Sequence, residues 1–240
     1  SFVAVLERYA QQLHAHGEDV LLRERHYAAY LQLFRTGDSY LRRAEAATWL
    51  ARLEPELDNL RAALQWALDT ARYTDVVWLM LAAGWFWRMR GSWQENKRWL
   101  VQVAPHRHLL DTNLRLTIVM NVYASAGTVE AFLPFDPWSE EMMQLLAVCS
   151  NKVLQAAAWF FIATFTTEFS PAAFEQSISL ARAAQAEPGP GADFGAVGDC
   201  DFILAASLED YAIALIERGE ITRATPLITE YMAIYQRWGI

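Results

Sequence analysis

Cysteine, lysine, glycine and proline are all scarce in this chain, and each scarcity removes a class of protein. Two cysteines, Cys149 and Cys200, among 240 residues form no disulfide framework. Their ordinary reading is two small apolar residues in a reducing cytoplasm. With 11 Gly and 8 Pro against 54% hydrophobic residues, the sequence is too apolar and too poor in breakers for disorder, so the chain folds. Only Lys97 and Lys152 are lysines, neither follows a Gly-rich loop, and no Gly-x-x-x-x-Gly-Lys-Ser/Thr sequence occurs. This segment encodes no ATPase site. Long apolar runs are missing too. The longest, Val76 to Trp87, holds 12 residues, against the roughly 20 that crossing a bilayer demands. No basic stretch leads into an apolar core and a small-residue cleavage site near Ser1, so the expectation is a cytoplasmic chain without membrane contact.

The charge that is present is unevenly spread. Residues 1–110 carry 14 Lys/Arg against 12 Asp/Glu, whereas residues 111–240 carry 6 against 16. An acidic second half repels phosphate, and no basic cluster interleaved with aromatics occurs, so direct nucleic-acid binding is not expected. The pairs His14/His16 and His106/His108 sit two apart, which turns them to different sides of a helix. With no cysteine or carboxylate pattern nearby, they call for neither metal nor cofactor. Glu140-Glu141 and Glu209-Asp210 read as adjacent acids facing water, and no Gly-x-Ser-x-Gly elbow is present. No catalytic residues are expected.

What is there is helical periodicity. Apolar residues recur three and four apart almost throughout, and sustained alternation is absent, so the class is all-α. About twelve helices are expected, near residues 2–16, 19–36, 43–53, 55–71, 73–90, 92–104, 112–126, 137–149, 151–167, 171–186, 199–218 and 221–238. Pro55, Asp136-Pro137 and Ser170-Pro171 mark starts, and Thr225-Pro226 marks either a start or an early turn of the last helix. Gly17, Gly37, Gly91, Gly127 and Gly219 mark stops. Two irregular stretches remain, Gly127 to Trp138 and Glu187 to Gly198. The second is either a mobile loop or a plain surface connection.

Antiparallel helix pairs repeated near 34 residues characterise tetratricopeptide arrays. Gly84 stands seven residues before Gly91 and Asn96 five after it. Likewise, Ala212 stands seven before Gly219 and Ala224 five after. Gly84 is expected where two helices approach closely, so that leucine there would overpack the contact. Plain bundle packing is the alternative. A more specific likeness covers residues 1 to about 105. Trp49-Leu50-Ala51-Arg52-Leu53-Glu54, Asp58 to Leu68, Trp85-Phe86-Trp87 with Arg90-Gly91, and Arg98-Trp99-Leu100 together resemble the segment that follows the nucleotide-binding core in STAND-class bacterial transcriptional regulators. Glu7-Arg8-Tyr9-Ala10 with Gly17-Glu18, then Arg23 to Tyr30, look like that family's junction out of a winged helix. The resemblance implies a helical linker region over 1–72 and a tetratricopeptide-like sensor over 73–240, with the other domains of the regulator as partners. Ser1 and Ile240 both fall inside helical patterns, so a piece of a longer protein is expected.

Trp78, Trp85, Phe86, Trp87, Trp93 and Trp99 crowd one helix pair, and most should be core. One or two, with an arginine, could instead line a groove. The candidate interaction residues are Trp85, Arg88 and Arg90 at one end and Glu209 and Asp210 at the other. That polarity suits a peptide or an amphipathic helix, though a small effector is also open. The expected function is a non-catalytic sensor and protein-interaction module. A scaffold for oligomerisation or interdomain contacts with no ligand is the alternative, and an enzyme with an unfamiliar all-α site is a third class.

Overall fold

A computed structural model describes residues 18–129, 136–165, 168–186 and 192–239 of the chain. Among these residues there is no strand. Eleven α-helices follow one another: α1 (Glu18–Leu41), α2 (Ala46–Leu53), α3 (Leu57–Asp69), α4 (Tyr73–Met89), α5 (Trp93–Val103), α6 (Thr112–Val129), α7 (Asp136–Val148), α8 (Lys152–Phe165), α9 (Pro171–Ala186), α10 (Cys200–Glu217) and α11 (Ile221–Arg237). Short 3-10 segments occupy Glu54–Glu56, Ala104–Leu109 and Ala192–Gly198. The helix expected over 2–16 and the stop expected at Gly17 lie outside the described residues. Pro226 falls inside α11 rather than opening a helix.

Two of the expected stops are real, and their chemistry is visible. Gly91 and Gly219 adopt φ of 66° and 77°, the left-handed region that glycine enters without steric cost. Each lets two amides reach back to the helix end: Ser92 N–H donates to Trp87 O (2.9 Å) and Gly91 N–H to Arg88 O (3.0 Å), while Glu220 N–H donates to Leu215 O and Gly219 N–H to Ile216 O, both at 2.9 Å. This doubly bonded cap satisfies carbonyls that the helix leaves open. The same bonds close α3, where Arg72 N–H meets Ala67 O and Ala71 N–H meets Leu68 O, but there the left-handed residue is Ala71 at φ 54°.

The other two described stops are corrected. Helix α1 continues through Gly37 to Leu41, and α6 continues through Gly127 to Val129. Gly37 is a contact glycine: a Cβ there would lie 2.7 Å from Leu53 Cδ1 and 3.3 Å from a Trp49 ring carbon, so a side chain at that position would force those two to shift where α1 meets α2. Gly84, expected to play this part, does not. Nothing lies within 4 Å of the Cβ it would gain.

One continuous core runs from Phe34 and Leu53 through Leu79, Phe86 and Trp87 to Leu154, Leu208 and Leu215. Packing follows a simple alternation. Helices α4, α6, α8 and α10 each touch the next, α1 packs beside α4, and α5, α7, α9 and α11 each cover the helix before them. Turns of three residues join α4 to α5 and α10 to α11, so those partners must run antiparallel. The row also returns on itself, because Ala44 N–H donates to Trp238 O at 3.2 Å. No helix among the described residues is long and apolar enough to cross a membrane.

Candidate interaction face

Helix α4 is apolar almost all round, as a central helix must be. Val76, Val77, Leu79, Met80, Ala82, Ala83, Phe86 and Trp87 are buried. The residues left half-buried or exposed include Trp78, Leu81, Trp85 and Arg88, spaced three and four apart and therefore on one face. This face looks along the row toward α10. Trp85 meets the Phe202 ring edge-on, centroids 4.9 Å apart, and donates its indole N–H to Leu41 O at 3.1 Å. The Arg88 guanidinium lies 5.0 Å above the Trp85 ring.

On the facing side, Thr164 Oγ1 of α8 donates to Asp210 Oδ2 at 3.0 Å. Burial pushes the Asp210 carboxyl above its ordinary range. The Thr164 hydrogen bond opposes that push, neighbouring Glu209 adds to it, and the Arg88 charge counters it. Trp85, Arg88 and Asp210 therefore belong to one neighbourhood rather than to opposite ends of a groove.

The remaining two candidates point elsewhere. Arg90 reaches Glu54 at 3.6 Å and lies over Phe86, on the side of α2. Glu209 accepts from the Tyr235 hydroxyl of α11 at 2.5 Å. Of the other tryptophans, Trp87 and Trp99 are core. The side chain of Trp93 lies outside the described residues.

The stretch read as a loop or surface connection is neither over its second part. Ala192–Gly198 touches α1, α4, α8 and α10. Phe194 is 7% exposed, and its ring sits 5.0 Å from that of Trp78. Gly195, at φ 61°, lies so close to α4 that a Cβ would stand 2.7 Å from Leu81 O. Residues 187–191 lie outside the described residues. Just beyond, Asp199 caps α10 by accepting from Phe202 N–H and accepts from Arg42 Nη2 at 3.1 Å. Arg42 also donates to Asp38, and both side chains are buried. Burial raises the Asp38 carboxyl pKa against the lowering effect of Arg42. None of Thr164, Phe202, Asp38, Arg42 or Asp199 was legible as part of a site. The one signal available was Phe194 itself, a large apolar residue amid glycines.

Glu141, expected to face water, is corrected: it is 7% exposed, holding Arg107 at 2.8 Å and Arg115 at 2.6 Å. A helix position alone does not reveal what a neighbouring helix brings to it. Two shallow clefts are lined by other residues than Trp85, Arg88 and Asp210. One of about 540 Å³ is lined by Glu175, Arg182, Tyr211 and Arg223 among others, and one of about 560 Å³ lies between α1 and α3 beside Leu22, His26 and Trp66. No group of His, Cys, Asp or Glu among the described residues could hold a metal ion.

Chemically, the inner face presents ring surfaces, guanidinium groups, a hydroxyl and a desolvated carboxyl. No protein-family profile, curated protein or solved structure matches the chain.

Proposed function

We propose that the chain is a non-catalytic sensor and interaction module, a tetratricopeptide-like array that receives a peptide or small effector on its inner row. On this reading it serves a larger cytoplasmic ATP-dependent transcriptional regulator, with nucleotide and DNA handled by other domains. The observation that carries it is the grouping of Trp85, Arg88 and Asp210. Packing alone does not call for an acid held half-buried against its own desolvation, beside a guanidinium stacked on an indole. The alternation of covering and inner helices supports a repeat architecture, in which the inner helices of successive pairs share one surface. The row's return on itself, through Ala44 and Trp238, favours a second reading as a closed scaffold with no ligand.

A selection separates the two. Peptide and metabolite libraries are screened against the wild-type chain, and each hit is retitrated against Arg88→Glu after its melt matches wild type. Recognition at the inner row requires at least a tenfold loss of affinity. Hits that bind the folded variant unchanged would remove Arg88 from the site, and a screen without hits would leave the scaffold.

A further inference from the structure

We propose that residues 192–199 are a resident occupant of a peptide-binding surface on α1 and α4, and that the partner they exclude is an acidic peptide led by an aromatic residue. The inference rests on the inner-face reading above and adds the chemistry of its ligand. The surface is built of Trp78 and Leu81 from α4, Arg35 and Asp38 from α1, and Arg42 from the turn that follows α1. The Arg35 guanidinium stands 5.0 Å above the Trp78 ring, so this ring has a cation on it, as Trp85 has Arg88.

The occupant engages the surface as a bound peptide would. Phe194 supplies a buried aromatic anchor against Trp78. Gly195 takes a positive φ at its closest approach, where the Leu81 carbonyl leaves no room for a side chain. Asp199 supplies a carboxylate to Arg42 five residues after the anchor. Ala192–Gly198 is neither part of the helical repeat nor regular in backbone, for Phe194 and Gly195 leave the helical region.

The ion cluster it completes is imperfectly satisfied, since Asp38 Oδ1 and Arg42 Nε find no hydrogen-bond partner among the described residues. A half-satisfied buried network is a poor permanent core. It is a contact open to exchange, because a partner carboxylate can take the place of Asp199 at the same guanidinium.

The test uses the full chain and a labelled synthetic peptide of its own residues Ala192 to Asp199. One variant replaces residues 187–198 by Gly and Ser in equal number and carries Asp199→Ser, which keeps a capping hydroxyl on α10 while releasing Arg42. A milder variant is Phe194→Ala alone. The peptide should bind the vacated chain saturably, and at least tenfold more weakly to wild type. A peptide with alanine for its phenylalanine should lose at least tenfold. Absence of saturable binding to a variant that keeps its helical circular dichroism and cooperative melt would overturn the proposal. So would binding indifferent to the phenylalanine, or loss of the fold in Phe194→Ala, which would make the segment core. These failures would leave the Arg88 test untouched, so the two readings fall separately.

Discussion

Asp210 and Glu141 are both acids on amphipathic helices, yet their surroundings set them against each other. Burial raises the Asp210 carboxyl above its ordinary range despite Thr164 and Arg88. Protonation of Asp210 is therefore favoured more in the fold than in the unfolded chain, and its charge works against stability at neutral pH. Asp210→Asn keeps an acceptor for Thr164 and removes that charge, so it should raise the urea midpoint at pH 7, with the gain vanishing below the carboxylate range, where both chains are neutral there. A stabilising loss of an acid is what a recognition residue would show. At Glu141, burial also pulls upward, but the hydrogen bonds and charges of Arg107 and Arg115 outweigh it and hold the carboxyl below its ordinary value. Its stabilisation is present above the unfolded carboxylate range and disappears as pH falls through the lowered value. Glu141→Gln should cost about 1–3 kcal/mol at neutral pH and progressively less in acid, read by denaturant titration at both. Sequence spacing placed both acids on helices. It could not assign them opposite roles, because their partners come from other helices.

Among the elements, helix bounds were legible wherever the local chemistry is self-contained. Ser170 before Pro171 opens α9, its hydroxyl accepting from Ala173 N–H at 3.3 Å, and Gly91 and Gly219 close their helices through their own conformation. Gly37 was misread because a bare position serves two purposes, ending a helix or admitting a neighbour. Which one applies depends on Leu53 and Trp49, on another helix. Gly37→Val should cost roughly 1–3 kcal/mol by overpacking the α1–α2 contact, whereas Gly84→Ala, facing open space, should gain up to about 1 kcal/mol of helix propensity. Ala71 is the reverse case, a side chain held in the left-handed region at a turn that suits glycine. Ala71→Gly should stabilise the chain by about 1 kcal/mol. Thermal melts of these three variants check the assignments, and a Gly84→Ala melt below wild type would mean that the position is crowded after all.

At the level of the whole molecule, the all-helical class followed from three- and four-residue spacing, while the course of the row did not. Phe194 hints that residues 192–198 are buried, but it does not name α1 and α4, which lie more than a hundred residues earlier, as what they touch. Nor does Trp238 foretell its bond to Ala44. Such long-range closures depend on how every helix pair is stacked upon the last. They also decide which surface is free to meet a ligand. The inner row leaves Trp85, Arg88, Thr164 and Asp210 partly open, whereas the cleft beside Glu175, Arg182 and Arg223 lies between α9, α10 and α11. Amide hydrogen exchange with and without a saturating ligand, taken from selection on the wild-type chain, separates these surfaces. Inner-row recognition predicts slowed exchange in α4 over 78–88 and in α10 over 202–213, with α9 and α11 unchanged. Slowed exchange confined to α9 and α11 around Arg182 and Arg223 would contradict it.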